Sequence, residues 1–290
     1  MGGAHRPRSN RCAARVRALK GAPALFVSHG APTFALDPGL LGPKLIQFGD
    51  QLPDVAAVAV VSAHWQTDAV RVMRTAAPET LHDFGGFPPA LYQLRYPAPG
   101  APRFASDAAM LLNAAGIEAS LDDRRGFDHG TWVPLLYLLP KAQVPVFQVS
   151  MPFDLDANGA LRLGRALAPL RQRGILVMGS GSLTHNLGEI GLSDARSTKY
   201  AAEFTSWVRA QVESKDLQAL AEYRRRAPHA ERAHPTEEHF LPLLVALGAS
   251  SNADAVRVLE GGMTYGVLSM ESYAFEISQT DARLGHVPAV

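Results

Sequence analysis

A single cysteine, Cys12, stands in the 290 residues of this chain. An intramolecular disulfide and a thiolate metal cluster are both excluded, so any metal must be held by His, Asp or Glu. The same scarcity suits a reducing compartment, and the expected location is cytoplasmic. Excess charge is lacking too: 28 Lys and Arg against 27 Asp and Glu leave a net charge of +1, which gives no overall field to attract nucleic acid or an anionic membrane. Long apolar runs are also missing. The strongest, around Val55 to Ala63, is far below the ~20 residues that span a bilayer, so no membrane partner is expected. No repeat, low-complexity tract or long Pro/Gly linker divides the chain. Residues 1–20 carry Arg6, Arg8, Arg11, Arg15, Arg17 and Lys20 with no acidic residue and no apolar signal core, which predicts a disordered basic leader.

What is plentiful is apolar periodicity. Strand-like runs at 24–28, 55–62, 69–75, 117–121, 144–150 and 174–179 alternate with helix-like stretches near 103–115, 131–139, 158–172 and 198–213. That alternation predicts an α/β fold, a single domain whose mainly parallel central sheet is flanked by helices. A crossover helix such as Leu40 to Phe48 would join the first two strands as parallel neighbours. The segment "HPTEEHFLPLLVALG" reads as a further helix, with Pro235 in its first turn and Gly248 at its stop, followed by strands at about 263–269 and 272–278. The Pro-rich stretch Phe87 to Pro102 is a long irregular segment whose aromatic residues suit packing over a site, with Phe87 and Tyr92 as walls.

Histidine is the second abundance, with ten in the chain. "ALFVSHGAP" ends an apolar run in His29, and "VAAVAVVSAHW" ends another in His64. Adjacent parallel strands lie roughly 5 Å apart, so two imidazoles at their carboxyl ends can share one ion. His185 follows the run and glycines of "ILVMGSGSLTH", where Gly179 and Gly181 would let the backbone turn tightly, and His239 would close the set from the late helix. His82 in "HDFGGFP" and His129 in "GFDHGTW" complete the candidates, while His234 belongs near the helix cap. A site built from imidazole, or from imidazole and carboxylate, suits Zn(II) or Fe(II) at the carboxyl ends of the strands. "GSGSLT" lacks the third glycine of a dinucleotide loop, and "HPTEEH" is not the H-E-x-x-H zinc helix.

In order along residues 23–275, "SHGAP", "VVSAHW", "HDFGGFPPALYQLRYPAPG", "GFDHGTWVPL", "GSGSLTHNL" and "PTEEHFLPLL" resemble the DODA-type extradiol aromatic ring-opening dioxygenases, the 4,5-DOPA extradiol dioxygenase family. The resemblance implies a catalytic domain over 21–282 with a tail at 283–290, and a non-haem metal that binds a DOPA-like catechol and works with O2. It implies His29, His64 and His239 as metal ligands and His185 as the acid/base, or a fourth ligand when Zn(II) fills the site. His129 would act from beside substrate or oxygen, with His82, Phe87 and Tyr92 on the substrate side. Fe(II) is then the active metal. Glu238 is the fallback ligand, because neighbours on a helix point about 100° apart and only one of Glu237, Glu238 and His239 can face the ion. Arg95 and Arg125 are candidates to clamp a substrate carboxylate. The competing reading of the same histidines is a zinc hydrolase that activates water. Oligomeric state is not legible.

Overall fold

A computed structural model describes residues 21–191 and 195–278. The leader expected at 1–20 and the tail expected at 283–290 lie outside the described residues.

The strands are β1 (Ala24–Ser28), β2 (Ala57–Thr67), β3 (Val70–Met73), β4 (Ala119–Asp122), β5 (Val146–Pro152), β6 (Ile175–Gly181), β7 (Ala255–Leu259), β8 (Met263–Thr264), β9 (Leu268–Ser269) and β10 (Ser272–Glu276). The α-helices are α1 (Leu41–Gln51), α2 (Pro102–Ala114), α3 (His129–Leu138), α4 (Ala157–Leu167), α5 (Ala195–Ser214), α6 (Leu217–Ala221), α7 (Tyr223–Arg226), α8 (Ala230–Ala233) and α9 (Leu241–Ala249). Eight strands form one sheet in the order β4-β3-β5-β2-β6-β1-β10-β7, and β8 and β9 form a separate hairpin. At the centre β5, β2, β6 and β1 all run parallel. β3 runs antiparallel to β5, and β10 and β7 close the other side as antiparallel neighbours. The architecture is the α/β fold expected, with a mainly parallel sheet, but β6 lies between β1 and β2, which were expected to be neighbours.

The centre is parallel because its strands are apolar on both faces. β1 and β6 are buried throughout, as is β2 from Ala57 to Ala63, and such continuous runs need a helix layer on each side. α9 covers one face against β6, β1 and β2, and α3 covers the other face of β2 and β6. β6 separates the two by its alternation. Ser180 faces α3, whereas a Cβ at Gly179 or Gly181 would collide with the Pro242 and His239 carbonyl oxygens.

Several boundaries depart from expectation. β2 continues through His64 to Thr67, so that histidine lies inside a strand. Gly179 and Gly181 lie within β6 and serve close approach of the His239 segment, not a turn. The helix foreseen at 158–172 is α-helical only over Ala157–Leu167 and tightens to a 3-10 turn over Ala168–Arg173, where Pro169 has no N–H to continue the ladder. The late helix begins at Leu241, with Pro242 in the first turn where Pro235 was expected, and residues 235–240 form bends and turns. β7 was not foreseen, and the strand expected at 263–269 breaks into the β8–β9 hairpin because Tyr265 and Gly266 both have positive φ.

Candidate metal centre

The carboxyl ends of β1, β2 and β6 gather three of the histidines. His29 follows β1 directly, its backbone N–H donating to Gly181 O at 2.8 Å, and its residue is 1% exposed. His64 lies on the α3 side of β2, two residues after Ser62. His185 follows β6, its backbone N–H donating to Ala233 O at 2.8 Å. His239 is carried by the turn before α9, and its carbonyl accepts from the Ser182 N–H at 2.9 Å, which ties that turn to the end of β6.

Three imidazole nitrogens converge. His64 Nε2 lies 3.0 Å from His29 Nε2 and 3.3 Å from His239 Nε2. The His129 ring tilts over His64 with centroids 3.9 Å apart, and His185 stacks on His239 at 3.4 Å. Donor atoms of His29, His64 and His129 lie within 4.8 Å of one another, as do those of His185, Glu238 and His239.

The far sides of the rings decide which nitrogens face inward. The His239 Nδ1–H donates to Glu238 Oε1 at 2.9 Å, and the His129 Nδ1–H donates to Asp83 Oδ1 at 3.0 Å. An ionised carboxylate only accepts, so each pairing leaves an Nε2 lone pair for the site. Glu238 is therefore turned toward His239 from behind. Residues 235–240 are not helical, so helical spacing does not set Glu238 against His239.

Electrostatics favour the neutral form of His29, His64, His185 and His239. Burial, then the neighbouring imidazoles, hold His29 and His239 well below the ordinary histidine range. Burial, joined by His129, lowers His64 to about 4, against the opposing pull of Asp128 and Asp83. His185 is also lowered to about 4, chiefly by burial, with Glu238 opposing. Burial works against ionisation of Asp83, yet its bonds and charge contact with His129 bring it down to about 2.

Those features fit a cation. Facing imidazole nitrogens need either a shared proton or a positive ion between their lone pairs, and an ion can serve all three rings at once. Two donors on adjacent corners about 2.0–2.1 Å from one ion are themselves about 3.0–3.4 Å apart, and the observed separations are 3.0 and 3.3 Å.

A buried polar frame, not foreseen, lies beneath. Asp128 is fully buried and accepts from Ser62 Oγ at 2.7 Å, Gln148 Nε2 at 2.6 Å, Arg125 Nη2 at 2.9 Å and the Thr131 N–H at 3.0 Å. Arg125 also donates through the same Nη2 to His64 O at 3.2 Å, which ties it to the frame. Arg95 donates to Tyr92 O and Leu94 O at 2.7 and 2.8 Å, holding its own loop. His234 is buried, with Nε2–H donating to Leu183 O at 2.9 Å, away from the cluster.

On the Asp83 flank of His129, Phe84 meets its ring edge-on at 5.6 Å. Phe87, Tyr92 and His82 each pack on Phe84 at 5.3–5.7 Å, one layer further out than expected. Asp83 and Phe84 are the second and third residues of the "HDFGGF" motif.

A family model described as the catalytic LigB subunit of aromatic ring-opening dioxygenase matches residues 46–276. The protein named 4,5-DOPA dioxygenase extradiol from Beta vulgaris is 38% identical over 255 residues, covering 86% of this chain and 95% of the relative. A protein of the same name from Escherichia coli K12 is 38% identical over 258 residues, covering 86% and 93%. The crystal structure of uncharacterized protein JW3007 from Escherichia coli K12 superimposes with a TM-score of 0.72 at 32% identity, covering 88% of this chain and 99% of that one. The chain belongs to this family and is an extradiol ring-opening dioxygenase of the DODA type. That membership sets the hydrolase reading aside.

Proposed function

We propose that this chain opens the ring of a DOPA-like catechol with O2 at an iron(II) held by His29, His64 and His239. The convergence of three Nε2 atoms carries the reading. The donor set is neutral, so it leaves an ion's positive charge uncancelled and favours loss of a proton from a nearby catechol hydroxyl. Iron(II) supplies the electron exchange that lets a catecholate react with dioxygen, which closed-shell zinc does not; zinc would occupy the same nitrogens in isolated protein, with His185 as a fourth donor.

His185 stands beside His239 on the open flank, where its imidazole nitrogen takes the catechol proton and returns it to the opened product. His129, held by Asp83 at Nδ1, directs Nε2 toward the substrate side. Phe84, backed by Phe87, Tyr92 and His82, provides an aromatic wall that keeps water from the reacting ring.

Anaerobic loading with Fe(II) or Zn(II), then addition of DOPA and oxygen, tests this. The iron form should consume oxygen and yield a conjugated ring-opened product absorbing in the visible, and the zinc form should not. An iron form that consumes no oxygen with any catechol contradicts the proposal.

A further inference from the structure

The Nδ1 of His29 faces a hydroxyl, Ser180 Oγ at 3.0 Å, and a hydroxyl can either donate or accept. If Ser180 donated to it, Nδ1 would carry the lone pair and Nε2 the proton, and the ring would present a hydrogen where the cluster needs a donor atom. What Ser180 does with its proton therefore decides what His29 presents.

The same Oγ makes a close contact with Gly130 O. A carbonyl oxygen only accepts, so that contact requires the Ser180 hydroxyl to donate to it. Gly130 is the second residue of α3, and its regular helical donor would be the N–H of residue 134. Residue 134 is proline, inside the helix, and has no N–H. The Gly130 carbonyl is thereby left open to a donor from outside the helix. Ser180 lies fully buried on the α3 face of β6 and meets that need. Gly130 itself cannot be larger, because a Cβ would collide with Ser62 Oγ and come within 3.0 Å of the His64 ring.

We propose that Ser180 is a positioning residue that locks His29 in its Nδ1–H tautomer, and that Pro134 makes the lock possible by leaving Gly130 O for the Ser180 hydroxyl. The chain runs in one direction: Ser180 donates to Gly130 O, its oxygen accepts from His29 Nδ1–H, and the His29 Nε2 lone pair faces His64 and His239. For His239 a carboxylate does the same task. At His29 a neutral hydroxyl does it, so no further negative charge is buried there.

This inference rests on the metal reading above for its consequence, but not for its direct observation. Nitrogen-15 spectra of the histidine side chains, recorded on the metal-free full chain, report each tautomer. Wild type should show His29 protonated at Nδ1, and Ser180→Ala should lose that preference while Ser180→Thr, which keeps the hydroxyl, retains it. Zn(II) affinity, measured against a competing chelator, should fall roughly 10- to 100-fold in Ser180→Ala, the usual cost of losing a ligand's outer partner, and only a few-fold in Ser180→Thr. An Nε2–H tautomer of His29 in wild type overturns the proposal, as does unchanged zinc affinity in Ser180→Ala or equal loss in both variants. A wild type that shows the Nδ1–H tautomer yet takes up no zinc contradicts the metal reading and leaves the lock standing.

Discussion

A methyl group at position 181 would decide how close His239 comes to the sheet. The Cβ of Gly181→Ala would run into the His239 carbonyl, which accepts from Ser182 and ties the ligand turn to β6. Overpacking of this kind costs about 1–3 kcal/mol, and relief requires the His239 turn to move outward. Gly181→Ala should lower the thermal midpoint and weaken zinc binding together. A variant that loses stability yet binds zinc normally would mean that the turn yields without moving the imidazole. Asp83 offers the opposite separation. Its carboxylate holds both the backbone N–H and Nδ1–H of His129 but touches none of the three converging nitrogens. Asp83→Asn should keep stoichiometric metal while turnover falls roughly 10- to 100-fold, read by metal analysis beside oxygen uptake. Loss of metal would place His129 among the ligands.

Among the elements, α3 links the site to the core. It begins under His64 with Asp128 as its cap, accepting from the Thr131 N–H, and carries Pro134 in its interior. Replacing Pro134 by Ala returns an N–H to Gly130 O and removes an interior helix proline, which is worth up to about 3 kcal/mol in an isolated helix. The variant should therefore match or exceed wild-type thermal stability while binding zinc more weakly, by less than Ser180→Ala. Reduced stability with normal zinc binding would contradict this. The sequence made the apolar strands legible, because continuous runs such as "AVAVV" have one structural use. It also made the histidines at 29, 64 and 185 legible, since each closely follows or ends such a run. It concealed the frame: Asp128, Ser62, Gln148 and Ser180 act through hydrogen bonds between residues as far apart as 151 positions, and no local periodicity records those pairings. The His239 turn misled for a related reason. Its prolines at 235 and 242 are both compatible with a helix start, and only packing on Gly179 and Gly181 selects the second.

Across the whole molecule, folding buries histidines in neutral form. His64 and His185 are lowered to about 4 and His234 to about 3, in each case chiefly by burial. An unfolded chain binds protons on these side chains near pH 6.5, whereas the folded chain does not until well below it. The metal-free protein should thus keep its full stability above about pH 6.5 and lose it as pH falls toward 4 and then 3, by about 1.4 kcal/mol per pH unit for each histidine in that interval. Denaturant unfolding from pH 7.5 to 4.5 measures the slope, and a flat profile would mean that these imidazoles are not buried neutral. Bound metal should steepen the acid sensitivity, since protons then compete for the same lone pairs. Anomalous diffraction from crystals of the iron-loaded protein would locate the ion proposed to lie between His29, His64 and His239. A single iron peak about 2.1 Å from Nε2 of each of those three residues is the expected result. A peak bound instead by His185 and Glu238, or by His129 in place of His239, would contradict it.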